Sequence, residues 1–218
     1  MSSEATGPLE RPLTKKQVQG GRSRETILDA AELLMARSGY AATTISDIRH
    51  ECGLPPSSIY WHFGSKEGLL AAVMERGANR WFAAIPRWDE LDVPDGDRLD
   101  ALLHRGARSL DEHPEFLRLF YMLSLERSDD PVVAEIVRRV RDAAIARFRD
   151  GISHSIASDL PDHKASALID ELTAFCVAVS DGCFFAAHLE PDRTDLGRMF
   201  VRLGQAAVAL IPQILADL

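Results

Sequence analysis

From about Ser23 to the end of the chain, apolar residues recur at three- and four-residue intervals. No stretch keeps the two-residue alternation of a half-buried strand. That period confines the fold to the all-α class. Ile27, Ala31, Leu34 and Met35 make one face of a first helix, and Gly39 is suited to terminate it. Thr44-Ile45-Ser46-Asp47 has the form of a capping box and predicts a short second helix ending at Cys52. Gly53 makes the turn, and Pro55 and Pro56 pre-set φ for a third helix over 57–63. Ser65 caps a long fourth helix striped with Leu69, Leu70, Val73, Met74, Trp81, Phe82 and Ile85 and stopped by Pro86. Five more helices are predicted near 97–112, 114–127, 130–158, 163–189 and 193–216, with Pro114, Pro131, Pro161 and Pro191 near their boundaries.

The expected organisation is a disordered basic arm over 1–20, a small helical domain over 21–67 and a larger helical domain over 68–218. Charge follows this division. Residues 1–67 hold eight basic and eight acidic side chains, so the net −8 lies wholly in 68–218. Within the first part, Arg11, Lys15, Lys16, Arg22 and Arg24 form a run uninterrupted by any acid. Neutralising phosphates takes a local cluster of cations, not a basic whole.

The segment from Thr44 to Phe63 meets the needs of a helix-turn-helix: two short helices and a tight glycine turn. Ile45, Ile48, Leu54 and Ile59 are placed to hold the pair together from inside. The second helix then presents Ser57, Ser58, Tyr60, Trp61 and His62, whose hydroxyls and flat polar rings can bond phosphates or base edges.

Four blocks in order resemble the tetracycline-repressor (TetR) family: Arg24-Glu-Thr-Ile-Leu-Asp-Ala-Ala-Glu-Leu-Leu, Ser38-Gly-Tyr-Ala-Ala-Thr-Thr-Ile-Ser-Asp-Ile, Cys52-Gly-Leu and Ile59-Tyr-Trp-His-Phe-Gly-Ser-Lys-Glu-Gly-Leu-Leu. The resemblance covers residues 22–75. Beyond about residue 90 it extends only to helix number and length. It implies a transcription regulator, usually a repressor, whose third helix enters the major groove. By position, Ser57, Ser58 and Trp61 would read bases. Thr44, Tyr60, His62 and Lys66 would touch the backbone, and Arg22 and Arg24 would add phosphate or minor-groove contacts. Two residues depart from the pattern. Arg49 stands where the family has a small residue, so it either changes the packing or turns outward. Pro55 replaces a capping serine.

Reading a palindromic operator requires a two-fold axis, and the last two helices are the expected homodimer surface. They carry Leu168, Leu172, Phe175, Val179, Met199, Leu203, Ala206, Leu210 and Ile214, which as plain core positions would serve the monomer instead. A small apolar or amphipathic effector is expected in a cavity drawn from Trp81, Phe82, Trp88, Phe116, Phe120, Tyr121, Met122, Phe184, Phe185 and His188, residues equally able to be core. Asp181 interrupts an apolar run. A carboxylate there needs a partner, either a ligand or an arginine across the dimer.

No cofactor or metal is expected, since the histidines lack ligand spacing. No nucleophile elbow, dinucleotide fingerprint or P-loop points to an enzyme. Three irregularly spaced cysteines make no disulfide framework. Cys176 and Cys183, about 10 Å apart on one helix, read as buried apolar thiols, with an intersubunit bridge or thiol sensing as alternatives. The uninterrupted apolar runs are short for a bilayer span and no secretory leader is visible, so the expected location is cytoplasmic, with no membrane partner. The alternative function is a DNA-bound protein of the same fold acting in chromosome organisation or division control.

Overall fold

The computed structural model describes residues 15–126, 130–156 and 160–218. Among them are nine α-helices, three single 3₁₀ turns and no strand. The helices are α1 (Lys15–Ser38), α2 (Ile45–Cys52), α3 (Pro56–Phe63), α4 (Lys66–Ala84), α5 (Arg98–Glu112), α6 (Pro114–Glu126), α7 (Pro131–Ser155), α8 (Asp162–Leu189) and α9 (Leu196–Asp217). The chain divides into two compact units, one up to Val73 and the other from Met74 on, so the division falls within α4.

One boundary moves. α1 starts at Lys15, so residues 15–20, expected to belong to a structureless arm, are helical. Lys15-Lys-Gln are adequate helix formers, so the missing apolar period does not exclude a helix there. Arg11 and the side chains of Lys15 and Lys16 lie outside the described residues.

In the first unit α1 packs on α2 and α3, and Ile27, Leu28, Ala31 and Met35 of α1, Ile48 of α2, Ile59 of α3 and Leu69 and Leu70 of α4 are all fully buried. Each of the large aliphatic side chains contributes about 1.5–3 kcal/mol by leaving water. The short helices α2 and α3 cannot hold themselves together by propensity. Burial on α1 and α4 does it for them.

In the second unit α5 packs on α9, α7 on α8, and α8 on α9. Leu168 and Leu172 of α8 meet Ile214 of α9 in a buried cluster flanked by Leu210, Ile152 and Ile156. Of the nine residues named for the dimer surface, four take the plain-core alternative, while Phe175, Val179, Met199 and Leu210 are half-buried and Ala206 is exposed. Leu168, Leu172, Leu203 and Ile214 are 0–6% exposed and close the monomer's own core. The apolar residues that α8 leaves exposed are Ala174, Ala178, Phe185 and Leu189. By length and mean hydropathy α8 and α9 would each pass for a membrane span. In the fold α8 packs against α7 and α9 and carries a paired carboxylate. Pro212 lies inside α9, where it withholds an N–H from the carbonyl four residues back.

Candidate functional site

The α2–α3 pair is fixed by its ends. Thr44 sits in extended backbone; its hydroxyl accepts from the Asp47 N–H at 3.1 Å, while the Asp47 carboxylate accepts from the Thr44 N–H at 2.8 Å. These bonds, with the Thr44 hydroxyl's own donation at 2.6 Å, hold the Asp47 carboxyl below its usual range. Gly53 ends α2 at φ 67°, a left-handed turn that costs glycine nothing, and its N–H bonds the Arg49 carbonyl. α3 starts from Pro55 and Pro56 without a side-chain cap. Arg49 is exposed, so of the two alternatives the outward one holds.

This framing orients α3. Ile59 is fully buried, whereas Trp61 is 76% exposed and Tyr60 51%. Ser57 is exposed and Ser58 half-buried. One exposed face of the helix therefore carries a hydroxyl, a phenol and an indole side chain.

The flanking residues are more committed than the sequence implies. The Nε2 of His62 lies 2.9 Å from the Ser23 hydroxyl of α1, leaving Nδ1 for any outside partner. Desolvation, with the Arg24 charge second, holds the His62 imidazole below its ordinary value. Arg24 lies over the Phe63 ring at 5.5 Å and pairs with exposed Glu25 at 3.3 Å. Arg22 is exposed, its carbonyl accepting from Thr26. The Lys66 ammonium sits 4.3 Å from the Tyr40 ring centre and reaches the Ala41 carbonyl at 3.5 Å. At the start of α4, the Ser65 hydroxyl accepts from the Gly68 N–H. The Glu67 carboxyl, held low by its own backbone N–H and by Ser65, occupies the helix terminus where a phosphate is also favoured. Gly68 is there for space. A Cβ at that position would collide with the Phe63 carbonyl oxygen, so the backbones of α3 and α4 approach this closely only because residue 68 has no side chain.

The second unit holds a cavity of about 160 Å³ walled almost entirely by apolar groups, among them Trp81, Phe82, Trp88, Phe148 and Phe200. An apolar void of about 150 Å³ takes up a benzene ring. Val208, on its wall, is 58% exposed, so the cavity reaches solvent. The Trp81 indole N–H donates to buried Ser109 at 3.1 Å, which fixes that wall.

Of the residues predicted for a ligand site, Trp81, Phe82 and Trp88 line this cavity. Phe116, Phe120, Tyr121 and Asp181 surround a separate gap of about 20 Å³, room for little more than a water. Phe185 and His188 line neither. Phe185 is 39% exposed, with its ring against Tyr121, and His188 stacks on Phe184. Asp181 has its partner within the chain: Arg141 of α7 grips it at two points, 2.9 and 2.8 Å, and the Tyr121 hydroxyl donates at 2.7 Å. Burial, then the Asp181 carboxylate, drives the Tyr121 hydroxyl far above its usual range. Cys176 and Cys183 are free and buried, and burial raises both thiols, Cys176 to about 11.

Sequence patterning misses Arg147, Phe148 and Phe200. A signal exists: glycines inside helices. A Cβ on Gly106 would lie 2.8 Å from Phe200, and one on Gly204 2.6 Å from Leu103, so these lining glycines mark where α5 and α9 approach closely.

Comparison with known proteins gives a consistent result. The family model described as bacterial regulatory proteins, tetR family, matches residues 27–73. The chain is 30% identical over 191 residues to the HTH-type transcriptional regulator TtgR of Pseudomonas putida, covering 84% of this chain and 87% of TtgR. It is 27% identical to the HTH-type regulator YvkB of Bacillus subtilis, over 69% of this chain and 66% of YvkB. Its fold matches SmeT, the repressor of a Stenotrophomonas maltophilia multidrug efflux pump. SmeT solved with triclosan superposes at a TM-score of 0.66 with 22% identity, over 86% of this chain and 90% of that one.

Proposed function

Because this chain belongs to the tetR family of bacterial regulatory proteins, we propose that it is a ligand-responsive transcription regulator, a homodimer released from a palindromic operator by a small apolar or amphipathic molecule. The observation that carries the reading is the orientation of α3: Ile59 fully buried, Tyr60 and Trp61 outward, on a helix locked by the Thr44–Asp47 cap. A helix so mounted can lie in a major groove. Ser57, Ser58 and Trp61 read base edges; Tyr60, exposed Arg22 and half-buried Arg24 take phosphates. Thr44, His62 and Lys66, whose polar atoms already serve the fold, position the head and add backbone contacts.

The dimer face is the exposed small-residue stripe of α8, Ala174, Ala178 and Gly182, with Phe185 and Leu189 beyond it, together with the exposed side of α9. A Cβ on Gly182 meets nothing within 4 Å in the monomer, the mark of a position open to a neighbouring helix. The effector occupies the aromatic cavity. Occupancy favours an arrangement of the dimer that no longer fits the operator, and a ligand that binds this state better shifts the population away from DNA. SmeT, a repressor solved with a small molecule, supports this reading by analogy. Acting on DNA, the protein works in the cytoplasm, and no catalytic step is required of it.

The test is a mobility shift on DNA flanking its own gene. The wild type is expected to retard that duplex in a salt-sensitive way. Trp61→Ala, removing an exposed ring, should weaken binding about tenfold or more, equivalent to about 1–3 kcal/mol of readout, with an unaltered melting temperature. Equal retention by the variant contradicts the assignment of α3.

A further inference from the structure

The charges on the cavity wall are unevenly matched. Its three polar side chains are Arg147, Asp150 and Ser155. The Ser155 hydroxyl donates to the Gly151 carbonyl at 2.7 Å. Both Asp150 oxygens are engaged, one by the Arg87 guanidinium at 3.4 Å and the other by the Trp88 N–H at 3.3 Å. Arg147 differs. Its Nη1 donates to the Ile85 carbonyl at 2.8 Å and its guanidinium carbon lies 5.8 Å from the Phe82 ring centre. It forms no ion pair with any described carboxylate.

A guanidinium carries five donors in a planar fork and remains charged under all ordinary conditions. Here one donor meets a neutral carbonyl and the charge rests against an aromatic face, inside walls of Trp81, Phe148 and Phe200 that offer no counter-charge. A carboxylate or phenolate entering this space gains a charge-assisted, two-point partner in low dielectric. A cation meets the Arg147 charge, and the one carboxylate available to it is already matched.

We propose that the effector is an aromatic or aliphatic acid, its apolar body in the cavity and its anionic group on Arg147. This rests on the reading of the cavity as the effector site and narrows it from apolar ligands in general to amphipathic anions.

The experiment uses three compounds of one shape and different charge: 5-phenylpentanoate, 5-phenylpentanamide and 5-phenylpentylamine. Binding to the full-length protein at pH 7 is followed by calorimetry and by the emission of Trp81 and Trp88, both in the wall. The expected order is acid over amide by at least tenfold, with the amine weakest. Arg147→Met, which keeps the stem, should reduce the acid-to-amide ratio to below threefold, and Arg147→Lys should retain part of it. Amide and acid binding equally, or the amine binding best, overturns the anion assignment while leaving the cavity as the effector site. If none of the three binds or alters tryptophan emission, the cavity reading falls and the anion proposal with it.

Discussion

At the scale of single residues, His62 shows how placement changes a role. As a lone histidine on a reading helix it invites assignment as a cationic phosphate ligand. In the fold its Nε2 is engaged by Ser23, and desolvation together with the nearby Arg24 charge lowers its affinity for a proton. The neutral ring therefore predominates at physiological pH. Because the Ser23 hydroxyl donates to the Gly20 carbonyl, Nε2 is the donor to Ser23 and Nδ1 is left as an acceptor, so what it can offer DNA is a site for a base-edge donor, not a charge. A base whose folded pKa is lowered binds its proton less readily than the unfolded chain does. Its contribution to stability is accordingly undiminished above 6.5 and declines as pH falls from 6.5 through the lowered folded value. An NMR titration should place the His62 midpoint below 6.5 and move it upward in Arg24→Gln; a midpoint above 6.5 would contradict this environment. Asp181 gives a parallel lesson. Its need for a partner was legible in the apolar run around it, but Arg141 lies 40 residues away on another helix, and only the packing of α7 on α8 brings them together.

Among the elements, those governed by local chemistry were the most legible. α2 and α3 have the bounds that Thr44, Gly53 and Pro56 predict, because a capping box, a left-handed turn and a proline start all act within four residues. α1 was legible only where its apolar residues repeat, so its first turns were missed. α8 and α9 were legible as helices but not as faces. Both are apolar around much of their circumference, and period alone cannot separate a face that closes the monomer from one left for a partner. The junction of α3 with α4 yields a sharp prediction. Gly68→Ala adds about 1 kcal/mol of helix propensity, yet its Cβ collides with the Phe63 backbone, which cannot rotate away. The net expectation is a loss of about 2 kcal/mol or more, a melting temperature lower by about 4–8 °C, and weakened DNA binding as α3 shifts. A variant that melts with the wild type would show that the two helices do not approach this closely in solution.

For the whole molecule, the two units, to which recognition and response are assigned in the proposed function, became legible to different degrees. The first is built from contiguous sequence whose family blocks span residues 22–75, so its fold and function follow from local pattern. The second draws its cavity from α4, α5, α7, α8 and α9. Which aromatics share a wall there depends on distant helices meeting, and that no periodicity reveals. Trp81 and Phe82 fell into the cavity, Phe116 and Phe120 into the core beside it, and Arg147 emerged from structure alone. The net charge of −8 lies in this second unit and its α4 lead-in, leaving residues 1–67 neutral overall. Attraction to DNA must then come from the local cations of α1 and from the reading surface of α3. The most direct measurement of that claim is selection of bound duplexes from a random pool by the full-length protein, at two salt concentrations. The account predicts recovery of a palindrome whose half-sites are centred about 10 base pairs, or a multiple of that, apart, with affinity falling as salt rises. Recovery of no sequence preference, or a preference that survives Trp61→Ala and Tyr60→Ala together, would contradict it.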